Sequence, residues 1–341
     1  MKPVEDTLTL ARAAVARPQA TTGYLDWLEQ LQRCYAGAPT PERTLCDMVY
    51  GDAGLDVRAM GANGTPAATG RFRDAAGQSQ RDLAGAALAS LFDGGAQAGE
   101  CQLLLYAAAS MDARFHQSPV GWLACTHQLT RQPHFALAQL QGASLAGAAD
   151  IIDAMLPPGA AAVFVAAEAW PVPFPRACTA PALLGDGAAA LWLTRAPVPG
   201  LRLVGTYQHS DDPFLGHAGD ATAMAPCRLL DCAAQAIDAA LERHALAAGD
   251  IGFWLPSGLG MQLDEALRRR CLPHAAYAAL PREDDGYLCS AAAPALCADV
   301  LDRVMTGDLA DGALLLSWGA SLGGAIGISL WRVAAPRMEH P

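Results

Sequence analysis

Ser144 stands where a polar side chain can do chemistry. A short apolar run, Phe135 to Leu140, stops at Gly142, and an Ala-rich amphipathic run, Ser144 to Leu156, follows with Asp150 and Asp153 on its polar side. The pattern predicts a buried strand, a sharp turn and a buried helix. A side chain on such a turn faces a helix N-terminus, whose dipole favours a thiolate or an oxyanion. The turn Gln141-Gly142-Ala143 holds no cysteine, which leaves Ser144 as its candidate nucleophile. A serine nucleophile needs a base within about 3 Å, and His209 and His217 are the two available. The plainer reading of Ser144 is a first-turn or N-cap serine.

The elements that must position this residue are readable in the rest of the chain. Helices are expected at 5–17, 24–36, 45–50, 82–92, 120–129, 227–246, 261–270 and 295–305. Strands are expected at 102–109, 135–140, 160–167, 188–193, 201–209, 251–255, 313–317 and 325–333. Strands and helices alternate through most of the chain, which predicts an α/β protein whose sheets are covered by helices. A similar order of elements runs from 134 to 209 and again from 251 to 333. The division expected is an N-terminal half, 1–196, with an additional helical N-terminus, and a C-terminal half, 197–341, packed as one body.

Composition bounds the function. Of 341 residues, 52% are hydrophobic and 17% charged, so a large core can form. The net charge of −11 argues against nucleic acid and anionic membrane surfaces as partners. No apolar run reaches the roughly 18 residues of a membrane span. The charged N-terminus is unlike a signal peptide, so a cytoplasmic protein is expected, with all ten cysteines reduced. No Cys or His spacing suggests zinc, and no metal or cofactor is expected. Cys125 and Cys289 read as small core residues, and Asp186 as a turn residue.

Five segments resemble the thiolase superfamily and, within it, β-ketoacyl-acyl-carrier-protein synthase III. Gly54-Leu55-Asp56-Val57-Arg58 is similar to its Gly-Ile-x-x-Arg signature. Leu103 to Ala109 is similar to the strand before a helix that begins near Pro119. Gln141 to Gly147 resembles the nucleophile turn, and Leu184-Gly185-Asp186-Gly187-Ala188-Ala189 the Gly-Asp-Gly-Ala-Ala hairpin. Trp318 to Gly324 resembles the C-terminal Gly-rich loop. The resemblance implies a thiolase fold, with two similar halves in five layers, α-β-α-β-α, and a dimer.

That family uses a Cys to take the acyl group, and a His and an Asn to stabilise the enolate left when malonate loses CO₂. The resemblance places Ser144 at the Cys, Ser257 at the His of a Pro-His-Gln-Ala-Asn motif, and Tyr287 at the Asn of a Gly-Asn-Thr-Ser-Ala motif. Gln141 resembles the Gln that some loading domains carry in place of the Cys, but it sits three positions too early for that place. Arg268, Arg269 and Arg270 fall where the family docks its carrier protein; the plainer reading is cations at a helix C-terminus.

The expected function is a catalytically degenerate synthase III-like subunit. It would pair with an active synthase in fatty-acid, polyketide or other secondary-metabolite biosynthesis, as a heterodimer or with itself as a homodimer. Acyl-carrier protein or acyl-CoA would be its further ligands. The alternative is an acyltransferase that uses Ser144, and a third class is an acyl-binding module.

Overall fold

A computed structural model describes residues 7–37, 70–110, 112, 117–138, 140–171, 174, 176, 183–210, 226–321 and 324–336. Ten strands form one sheet. Its first set comprises β1 (Thr9–Ala16), β4 (Cys101–Ala108), β5 (His134–Ala138), β6 (Ala161–Glu168) and β7 (Gly187–Thr194). Its second comprises β8 (Gly200–Ser210), β9 (Ile251–Leu255), β10 (Ala276–Tyr277), β11 (Leu314–Ala320) and β12 (Ala325–Ala334). The full order is β10-β9-β11-β12-β8-β1-β7-β6-β4-β5. Counted within each set, the strands lie first, fifth, fourth, second, third. The second is parallel to the third and fourth; the fifth is antiparallel to the fourth and first. The two halves therefore share one topology.

The five-layer arrangement implies two central sheets. The sets instead join where β1 meets β8, at Thr9 opposite Arg202 and Leu10 opposite Leu201. A bulge between Leu10 and Arg12 then turns β1 so that it continues along β7 alone.

Helices cover both faces and fill the centre. Helices α2 (Gln80–Asp93) and α3 (Pro119–Thr126) pack outside the first set; α5 (Pro226–Arg243) and α6 (Met261–Cys271) outside the second. Helix α4 (Ser144–Met155) and helix α7 (Ala292–Thr306) lie between the sets and touch both, giving the five layers α-β-α-β-α. Small residues permit that central layer. A Cβ on Gly327 of β12 would lie 2.9 Å from both the Ala143 carbonyl oxygen and the Ala146 Cβ. Leu145 and Ile152 of α4 share one buried cluster with Phe164, Leu191, Trp254, Leu316 and Val300.

The remaining pieces are α1 (Tyr24–Ala36) and the hairpin of β2 (Thr21–Gly23) with β3 (Arg71–Arg73). They hold a small core of Tyr24, Trp27, Leu31, Phe72 and Leu183.

The helix expected at 5–17 is β1. Its alanines suit a helix, but pairing with β7 along most of its length overrides that propensity. The strand expected at 135–140 forms as β5 but is not buried. It is one of the two edge strands of the sheet, paired among the described residues with β4, and Ala136 and Ala138 are exposed. Helix 45–50 and the Gly54–Arg58 signature lie outside the described residues. No helix among the described residues is long and apolar enough to cross a membrane.

Candidate functional site

Each central helix is entered in the same way. One turn of 3₁₀ helix, Gln141–Ala143, leads into α4, and another, Cys289–Ala291, leads into α7. Both begin on a non-glycine residue in the left-handed region, Gln141 at φ 47° and Cys289 at φ 50°. Such backbone is uncommon without glycine and is tolerated where packing over-determines it. The shared topology makes the two turns equivalent: Gln141 corresponds to Cys289, and Ser144 to Ala292. The turns also touch each other at the centre of the molecule.

Ser144 is fully buried, and its hydroxyl donates to the Ser290 carbonyl oxygen at 3.0 Å. A carbonyl is no base, so this contact does not activate the serine. His209 lies on β8 opposite Ile326 of β12 and is half-buried. His217 lies outside the described residues.

Tyr287 precedes the second turn and is 1% exposed. Its hydroxyl donates to the Ala320 carbonyl oxygen at 3.3 Å, and burial holds its phenol well above the ordinary value. The ring reaches the first turn: a Cβ on Gly142 would stand 2.6 Å from the Tyr287 hydroxyl oxygen. The backbone of β11 closes the other side, since a Cβ on Gly319 would lie 2.0 Å from the Gly142 carbonyl oxygen. Backbone bonds fix Tyr287 from the hairpin before β7. Its N–H donates to Leu183 O at 2.6 Å, and its carbonyl accepts from Gly185 N–H at 3.0 Å.

Ser257 follows β9 and is likewise buried. Its N–H donates to the Asp264 carboxylate at 2.8 Å, and its hydroxyl donates to the same group at 3.2 Å. Trp318 Nε1 donates to Asp264 at 2.7 Å. Burial pushes the Asp264 carboxyl up to about 6. Gly258 faces Tyr287, whose Cδ2 would lie 3.7 Å from a Cβ there. Tyr287 thus packs between the turn before Ser144 and the turn after Ser257. The space beside Gly258, Gly286, Leu288 and Ala292 is about 20 Å³, room for about one water.

Two buried carboxylates frame this region. Glu168, at the end of β6, accepts N–H bonds from Ala109, from Ser110 at 2.7 Å and from Ser290 at 3.0 Å; burial raises its carboxyl above the usual range. Asp186 pairs with Arg176, at 2.5 and 2.8 Å, and accepts from Trp170 N–H and Ala75 N–H. It is a buried structural hub as well as the turn residue that the sequence suggests.

The three arginines at the end of α6 are engaged within the chain. Arg268 pairs with Glu265, donates to Ala275 O at 2.8 Å and lies over the Tyr277 ring. Arg269 shares Glu265, and Arg270 pairs with Asp231 at 2.5 Å. Arg269 is 74% exposed and Arg270 48%, so those two face solvent, whereas Arg268 is 15% exposed. Cys125, expected in the core, is exposed near the end of α3, while Cys289 is buried. No group of three or more His, Cys, Asp or Glu among the described residues could hold a metal ion.

What the sequence motifs concealed is the equivalence of Gln141 and Cys289. The signal was there in short form: each begins a run of small residues, Gln-Gly-Ala-Ser and Cys-Ser-Ala-Ala, at the entry to a central helix.

No family model and no curated protein sequence matches the chain. Solved structures do. An acyltransferase, ChlB3, matches with a TM-score of 0.71 at 18% identity, over 97% of this chain and 98% of its own. OleA from Xanthomonas campestris matches at 0.68 and 15%, over 96% and 98%. A 3-oxoacyl-[acyl-carrier-protein] synthase III from Aquifex aeolicus matches at 0.67 and 14%, over 95% and 99%. At this identity the likeness is one of fold, and it spans nearly the whole of both chains: this protein has the thiolase fold, in the form shared by synthase III structures.

Proposed function

We propose that this chain is a synthase III-like subunit that does not condense acyl groups by itself and works beside an active synthase in fatty-acid, polyketide or other secondary-metabolite biosynthesis. The observation that carries this reading is Tyr287. A bulky, protonated phenol is locked between Gly142 and Ala320, in the space between the central turns. Ser144 and Ser257 spend their hydroxyls on Ser290 O and Asp264. Condensation needs a thiolate and preorganised donors for the enolate, and removing one such donor typically costs about 100-fold or more in rate.

Pairing has support in the outer edge of β5. That strand, His-Phe-Ala-Leu-Ala, carries none of the lysines, prolines or bulges that usually blunt an exposed edge. Pull-down of the tagged chain from its native organism tests the pairing. The reading expects a thiolase-fold partner with its own Cys, His and Asn; recovery of the chain alone as a monomer counts against it.

The second reading, acyl transfer by Ser144, draws on the likeness to ChlB3, which is described as an acyltransferase. The bond from Ser144 to Ser290 O weighs against it.

A further inference from the structure

We infer that Gln141, rather than Ser144, stands at the position of this fold that faces the acyl group. The inference rests on the synthase III-like reading above and names the residue that would meet the thioester. Three observations carry it. Gln141 is the left-handed first residue of the turn that enters α4, and its counterpart Cys289 opens the equivalent turn before α7. Ser144 lies one turn further on, inside the helix, fully buried, with its hydroxyl bound to the opposite half. Gln141 is only half-buried, whereas Gly142, Ala143 and Ser144 are all buried, so it is the residue of this turn that solvent reaches.

A carboxamide at that position has no nucleophilic pair of electrons to give. It can donate an N–H to the carbonyl oxygen of a thioester, and the amides at the start of α4 add a favourable dipole. The chain would therefore hold an acyl thioester without forming a covalent intermediate, which suits a subunit that leaves condensation to its partner.

The test installs a thiol at each rival position. Q141C and S144C are incubated with acetyl-coenzyme A and digested, and the adduct is located by peptide mass. In Q141C the new sulfur attacks the thioester carbonyl, the bond to the coenzyme A sulfur breaks, and coenzyme A leaves as the thiol with the proton that the cysteine gave up. Cys289, in the same backbone conformation, indicates that a cysteine fits such a turn. The expected result is one acetyl group on residue 141 of Q141C and none on residue 144 of S144C. Acetylation of S144C at residue 144, or of neither folded variant, overturns the assignment. Circular dichroism checks folding; should Q141C unfold, Gln141→Ser, read as an acetyl ester at the same position, takes its place under the same criteria. Condensation by the unmodified chain would instead sink the functional reading, so the two failures are distinguishable.

Discussion

The hydroxyl of Ser144 crosses from the first half of the molecule to the second and donates to the carbonyl of Ser290, 3.0 Å away. Ser290 in turn donates its N–H to Glu168 on β6. A side chain placed to look like a nucleophile is thereby a clasp between the two central turns. Ser144→Ala removes the donor from a buried carbonyl and should cost about 1–3 kcal/mol. Chemical denaturation of the two proteins measures it, and an unchanged midpoint would show that the clasp carries no stability.

Gly142 is held by two close neighbours. A Cβ there meets the Tyr287 hydroxyl at 2.6 Å and the Ala320 carbonyl oxygen at 2.9 Å. Gly142→Ala should destabilise by about 1–3 kcal/mol through overpacking. Adding Tyr287→Phe removes one of the two clashing atoms and should restore part of the loss. Melting temperatures of the single and double variants decide this; strict additivity would mean that the two residues do not meet.

The Asp264 carboxyl is pushed up by burial from 3.8 to about 6. The folded state therefore binds a proton more tightly than the unfolded state. The associated stability is present in full below about pH 4 and lost as pH rises through about 6, a change of about 3 kcal/mol. The difference in unfolding free energy between wild type and Asp264→Asn should follow that slope between pH 4 and 7. A constant difference across the range would refute the raised value.

Two arginines should differ sharply in what their removal costs. Arg176 is 2% exposed and pairs with Asp186, so Arg176→Ala leaves a buried carboxylate unpaired and should cost about 3–5 kcal/mol. Arg269 is mostly exposed and shares Glu265 with Arg268, so Arg269→Ala should cost no more than about 1 kcal/mol. Denaturant midpoints of the two variants compare them directly.

Most of the fold was legible because apolar runs of strand length are flanked by glycine or proline, as at Ala161–Glu168, which lies between Gly159 and Pro171, and at Ile251–Leu255, which runs into Pro256. β1 was not, because eight alanine-rich residues carry helix propensity and only the partner strand β7 decides their state. Edge position was invisible for the same reason: nothing in Phe135–Leu137 says which neighbour it lacks. The glycine-rich motifs found the central turns. They did not reveal that Gln141 and Cys289 are equivalent, since that follows from strand order and backbone angle, not from residue type.

The central claim is that this chain cannot condense acyl groups alone. Purified protein, incubated with an acyl thioester and malonyl-carrier protein, should release no β-ketoacyl product. Product should appear when a partner carrying its own Cys, His and Asn is added. Ser144→Cys should leave the single chain inactive, because Ser257 and Tyr287 remain. Turnover by the unmodified single chain that is lost in Ser144→Ala would make Ser144 a working nucleophile and contradict the account.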